Sequence, residues 1–413
     1  MPDGRYGFET VRLHDKKKRR NLIFEVKFLD FPLIWAEVDR KAIAHNVREL
    51  RRVTHPSARL MAVVKANAYG HGMIEVAKTA LQNGACFLGV ARLGEGIQLR
   101  NSGIDAPILI LGHTQSVFAE KLLEFDLTQT VFSLRTAEAL SRMAASHGKK
   151  IKIHLKVDSG MGRLGISSNG FGTPARGGDF KNDAIHEANA IGCLGGLELE
   201  GVFTHFATAD SLDKSYAVKQ FERFMDFLNR LRLTGLEIPI KHAANSAAII
   251  DMPETHLDMV RGGISLYGLY PSDEVNKNRV ELKPAMELKS RVIHLKKVPA
   301  GFKISYGMTY ETPKSTTVAT VPVGYADGYN RRLSSCGQML VGGQRAPVVG
   351  RICMDLTMLD VGHIPDIRLE DEVVIFGKQG NLTITVDEIA AVLETINYEV
   401  VSTVTDRVPR FYL

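Results

Sequence analysis

The sequence predicts an α/β protein in two parts, a TIM barrel, (β/α)8, followed by a mainly β domain. Three observations carry that expectation. The chain has 413 residues, more than a single hydrophobic core usually organises. From about Trp35 to Gly268 short apolar runs alternate with helical patterns, as in parallel βα units. After Pro284 the rhythm changes to alternating, β-branched runs cut by Gly and Pro.

Taken in order, the candidate strands of the first part are Ile34 to Val38, Leu60 to Val64, Phe87 to Val90, Ile108 to Leu111, Thr128 to Phe132, Ile151 to Val157, Leu199 to Phe206, His242 to Asn245 and Leu257 to Val260. A TIM barrel has one place fewer than that. The first, around Trp35, is therefore expected outside the barrel, paired with the second domain, and the barrel opens with the Leu60 strand. In the second part Thr316 to Pro322, Gln338 to Val341, Pro347 to Val349 and Glu372 to Phe376 read as strands. The expected division is a basic extension over 1–31, the barrel over 32–282 and the mainly β domain over 283–413. Ser167 to Phe180, rich in Gly and polar residues, reads as a loop.

Hydrophobic residues make up 45% and charged residues 24% of the chain, a globular composition. The formal charge is +6, but the run Lys16, Lys17, Lys18, Arg19, Arg20 accounts for five of it. The remainder is near neutral, which argues against nucleic acid as a partner, and the run itself reads as a solvated arm. Glu25, Lys27 and Asp30 interrupt any export segment behind it, and no stretch is apolar for long enough to span a bilayer. A cytoplasmic protein is expected. Cys86, Cys193, Cys336 and Cys353 are scattered, with no CxxC pair, so they read as reduced thiols, most of them packing residues.

Chemistry concentrates in Met61 to Gly72, MAVVKANAYGHG, where Lys65 closes an apolar strand. Barrel enzymes keep their catalytic groups at that end of a strand, and apolar surroundings disfavour an ammonium there. A neutral amine can form a Schiff base. For a lone lysine, snorkelling to solvent is the commoner outcome. A pyridoxal phosphate partner would also need a phosphate cradle, and barrels build one from the loops after their last two strands. Here those are Ala243-Ala244-Asn245-Ser246 and Arg261-Gly262-Gly263-Ile264. Gly160 to Gly165 satisfies G-x-G-x-x-G after a strand, yet it runs into the Gly-rich loop where a dinucleotide fingerprint needs a helix.

From Trp35 onward the blocks VVKANAYGHG, KVDSGMGRLG, FTHFATAD, VRGGISLYG, KISYGMTY, VPVGYADGY, GRICMD and INYE occur in the order seen in alanine racemases, and the chain resembles that family. The resemblance implies pyridoxal phosphate as cofactor, Lys65 as its Schiff-base lysine, and Tyr69, Ser246, Gly263, Ile264 and Tyr398 around the phosphate. It implies Arg163 at the cofactor phenolate, Arg261 at the pyridine nitrogen, Tyr306 as the second catalytic base, and the backbone of Met354 with Arg163 at the substrate carboxylate. A homodimer follows, because in the family Tyr306 and Met354 serve the partner's site. A phenol with a reference pKa near ~10 needs donors or positive charge to act as a base, and His205 and Arg261 are the expected suppliers. The implied activity interconverts L- and D-alanine by two bases, supplying D-alanine for peptidoglycan. A broad-specificity racemase of the same fold is the alternative, and a non-catalytic cofactor carrier would lack Tyr306 and the β domain.

The strand Ile151 to Asp158 alternates, which turns Lys156 into the barrel near Arg163. A salt bridge to Asp158 is one resolution. The resemblance implies another, a carbamylated Lys156 that orients Arg163. The basic extension and the long loop after Arg163 depart from the family pattern.

Overall fold

Nine strands compete for eight barrel places, and pairing decides between them. The computed structural model describes residues 32–168 and 180–413. The basic run and most of the Ser167 to Phe180 loop lie outside the described residues. Strand β1 (Ile34–Val38) pairs antiparallel with β11 (Met286–Arg291) and parallel with β21 (Arg410–Tyr412), in the sheet of the second part, as expected. Its place is held by charge. Lys289 of β11, its side chain only 12% exposed, lies 2.8 Å from Glu37, 3.1 Å from Glu287 and 3.8 Å from Glu372. A one-residue slip would turn these side chains to opposite faces and strand a half-buried ammonium.

The barrel is the parallel set β2 (Arg59–Val63), β3 (Phe87–Val90), β4 (Ile108–Ile110), β5 (Thr128–Val131), β6 (Ile151–Asp158), β8 (Leu197–Phe203), β9 (Ile240–His242) and β10 (Met259–Gly262), with β10 returning to β2. Between β9 and β10 the seam is bridged by Asp258 N–H to Lys241 O and Arg261 N–H to Ala244 O, both 3.0 Å. A two-residue strand β7 (Ile166–Ser167) adds to β6, and no helix begins in the G-x-G-x-x-G stretch. The bounds of β1 and β3 match the sequence reading, those of β2, β4, β5 and β6 differ by one residue, and those of β8, β9 and β10 by two or three.

The second part carries the sheet β17-β16-β19-β11-β1-β21, built from β16 (Gln338–Val341), β17 (Gln344–Pro347) and β19 (Glu372–Gln379) around the strands above. Two helices, Val386–Leu393 and Asn397–Ser402, lie within this mainly β part, where the sequence reading placed none. Val386, Ile389, Ala390 and Leu393 are buried at helical spacing, and Thr385 caps the first helix by accepting Glu388 N–H. That Thr-x-x-Glu signature was available in the sequence. The cysteines need a correction too. Cys86, Cys193 and Cys336 are exposed and Cys353 is partly buried, since Cys86 immediately precedes β3 and Cys193 and Cys336 sit in turns, none of them on a buried face. Among the described residues no helix is long and apolar enough to cross a membrane.

Candidate active site

The carboxyl ends of the barrel strands enclose a cavity of about 450 Å³ lined by Lys65, Tyr69, Lys156, Arg163, His205 and Arg261, with Ser246, Gly263, Ile264 and Tyr398 along one side. These residues, proposed from strand ends, the two late loops and the resemblance, come together in one place. Tyr306 and Met354 do not. They lie in the second part, 70% and 53% exposed, and neither lines this cavity.

Lys65 stands at the head of an unusual turn. Ala66, Asn67, Ala68 and Tyr69 all have φ between 51° and 54°, a left-handed turn of non-glycine residues. Glu95 secures its start, accepting Ala66 N–H at 2.7 Å with one oxygen and Ala91 and Arg92 N–H with the other. Sequence reasoning missed Glu95. Burial and the nearby Arg163 hold the Lys65 ammonium below its ordinary pKa, opposed by Glu95, which shifts the balance toward the nucleophilic amine.

The late loops meet as expected of an anion cradle. Ser246 opens the helix Ser246–Asp251, and its Oγ accepts Gly263 N–H at 2.8 Å. A Cβ on Gly263 would stand 3.1 Å from the Tyr69 hydroxyl and 3.6 Å from Ser246 Oγ, so glycine keeps the gap between two hydroxyls open. Burial raises the phenols of Tyr69 and Tyr398 well above their usual range, which keeps both as donors. Around this cradle stand Lys65, Lys156, Arg163 and Arg261. Asp158, the nearest carboxylate to Lys156 in sequence, is turned away to accept the N–H groups of Gly160, Met161 and Gly162. The hydroxyl and backbone donors of the late loops fit a phosphate, the two arginines give the cavity positive charge, and the Lys65 amine fits an aldehyde. The residues therefore suit pyridoxal phosphate.

Arg261 is buried and fixed from several directions: it donates to Thr204 O and Ala243 O at 2.8 Å, to His205 Nδ1 at 3.2 Å and to His242 Nδ1 at 2.9 Å. An arginine only donates, so His242 carries its proton on Nε2 and passes the hydrogen bond to His154 Nδ1 at 2.9 Å. His154 then donates from Nε2 to Glu200 at 3.3 Å. Each histidine is thereby limited to one neutral tautomer, in accord with burial depressing His154, His205 and His242. His205 accordingly brings a neutral Nε2–H donor to the cavity, and the positive charge expected from the pair resides on Arg261. Burial and Arg163 bring Arg261 down to about 9, still protonated at neutral pH. Glu200 can join because the β6–β8 register skips it between Leu199 and Gly201. Nothing in the sequence pointed to this chain of side chains.

Lys156 is 6% exposed, with Nζ 4.2 Å above the Phe203 ring. Burial, then Arg261 and Arg163, push its ammonium far below the ordinary value. The expected salt bridge to Asp158 is not among the ion pairs of the described residues.

Comparison with known proteins agrees along the whole described chain. Models of the alanine racemase N-terminal domain and C-terminal domain match residues 38–271 and 285–412. The alanine racemase of Desulfosudis oleivorans is 58% identical over 378 residues, 92% of this chain and 96% of that one. Among solved structures, alanine racemase of Clostridium difficile 630 superposes with a TM-score of 0.86 at 42% identity, covering 93% of this chain and 96% of its own. That of Bacillus anthracis, solved with bound L-Ala-P, gives 0.85 at 38% identity over the same shares. With two family models in succession and identity of this extent, the chain belongs to the alanine racemase family.

Proposed function

We propose that this protein racemises alanine with pyridoxal phosphate, and the observation that carries the reading is the depressed Lys65 amine at the edge of a cavity ringed by basic groups. The cofactor, when bound, supplies the electron withdrawal that makes the substrate Cα–H acidic. Ser246, Tyr69, Tyr398 and the backbone of Gly263 and Ile264 hold its phosphate. Arg261, an obligate donor locked by His205, His242 and two carbonyls, would meet its pyridine nitrogen and would give up no proton there. Lys65 Nζ takes or returns the Cα proton on one face.

The other face needs a second base, and in this reading Tyr306 Oη provides it from a partner protomer, with Met354 backbone and Arg163 at the substrate carboxylate. The exposure of Tyr306 and Met354, outside the cavity of their own chain, supports this. A two-fold homodimer would build two such sites. The cofactor is assigned to residues 32–282 and the second base to 283–413. We place the reaction in the cytoplasm, with D-alanine supplied for peptidoglycan. Purified protein given L-alanine should generate D-alanine until optical rotation vanishes, with serine or histidine turned over far more slowly. Proton exchange without D-alanine would defeat the reading, and equal turnover of several amino acids would favour the broad-specificity alternative.

We further propose that Lys156 is carbamylated. Its neutral amine forms an N–C bond to carbon dioxide and releases one proton, which puts a buried anion where it can accept from Arg163. Lys156→Ala should then lower kcat/KM by about 10²-fold through misplaced Arg163, and added acetate should restore part of it. Well-resolved crystallographic density ending at a bare amine, with activity unaffected by removing bicarbonate, would refute the assignment.

A further inference from the structure

The turn that carries Lys65 is strained, and part of what restrains it comes from the C-terminal end of the chain. Four consecutive non-glycine residues in the left-handed region crowd each Cβ against the following carbonyl and are disfavoured in an unsupported chain. Such a turn persists only where its surroundings over-determine it. Glu95 provides the support from the barrel.

The remaining support comes from residues 397–412. Arg410 Nε donates to Gly70 O at 2.9 Å, and its two amino groups are taken up by Thr405 O at 2.6 Å, Val404 O at 2.7 Å and Val408 O. Gly70 and Gly72, with φ of 84° and 96°, close the turn. A Cβ on Gly70 would collide with Val401 O, and one on Gly72 with the Tyr412 hydroxyl, so the C-terminal segment lies directly against the backbone of the turn. Asn67 ties the same join from within the turn: Oδ1 accepts Met73 N–H at 2.9 Å and Nδ2 reaches Asp406 at 3.3 Å. Tyr398, from the same stretch, lines the cavity.

We propose that Arg410 is a positioning residue for Lys65. Every hydrogen bond it makes among the described residues goes to a backbone carbonyl, so its planar fork measures backbone positions and pins Gly70 against the 401–412 segment. Pinning Gly70 keeps the left-handed turn wound and the Lys65 amine at the cavity edge, facing Arg163 and Glu95. The proposal rests on the reading of Lys65 as the cofactor lysine.

The test compares Arg410→Met and Arg410→Lys with Lys289→Met, which weakens the same sheet at β11 away from the turn. Hydrogen exchange of the holoenzyme should show the Gly70 and Gly72 amides at least about tenfold faster in both Arg410 variants, with β3 and β4 unchanged. Cofactor uptake, followed by absorbance against pH, should shift to higher pH in those variants, because loosening the turn returns solvent to an amine that burial depresses. Lys289→Met should move neither. If the Arg410 variants match wild type, or change no more than Lys289→Met, Arg410 is only a domain contact and the proposal fails. Should Arg410→Met not fold, Arg410→Lys decides by the same two readouts. Wild-type protein that takes up no pyridoxal phosphate would instead sink the reading of Lys65, and the exchange result would still stand.

Discussion

Replacing Lys65 by alanine is expected to abolish racemisation, by more than about 10⁴-fold, and to leave a protein that loses its cofactor absorbance on dialysis. Both effects come from one atom. In the proposed reading Lys65 Nζ is both the covalent anchor and one of the two bases, and it lines the cavity with its ammonium lowered by burial. Lys156 is also depressed, but it lies beneath the Phe203 ring and beside Arg261. The phosphate cradle is untouched by the change, so cofactor should still bind, weakly and reversibly. Retained activity, or absorbance that survives dialysis, would refute the assignment.

The second large effect concerns where the other base resides. Tyr306→Phe should lower racemisation in both directions by about 10²- to 10⁴-fold, since every turnover needs both faces. Lys65 should still exchange the α-proton of one enantiomer with deuterated solvent. Mixing Lys65→Ala with Tyr306→Phe protein under subunit exchange should restore about a quarter of wild-type activity: half the dimers are mixed, and each holds one intact site of two. No recovery despite exchange seen by native mass spectrometry would rule out a shared site. Tyr306 would then have to reach Lys65 within one chain, which its exposure outside the cavity opposes.

Much of this site was legible before the fold was known, because the signals were local. A lysine at a strand end, a serine and a glycine pair in the last two barrel loops, and the alternation around Lys156 are patterns of a few residues each. Pairing of β1 with the second part followed from counting strands against barrel places. The rejection of the G-x-G-x-x-G stretch rested on its immediate neighbours. The roles of Tyr306 and Met354 came from resemblance alone, since periodicity gives no hint of a base in KISYG.

Alternation and end-of-strand chemistry, then, were determined by the sequence itself, because a strand's two faces and its termini are fixed by a handful of covalently adjacent residues. Only the tertiary structure decided the left-handed turn after Lys65, whose residues would not adopt it unaided and are held by Glu95, Asp406 and Arg410 from distant parts of the chain. It alone assembled the line from Arg261 to Glu200, whose members sit on or next to β10, β9, β6 and β8 and meet only when the barrel closes. The neutrality of His205 belongs there too: a histidine's charge depends on the dielectric and cations around it, and those are set by packing and not by its neighbours in sequence.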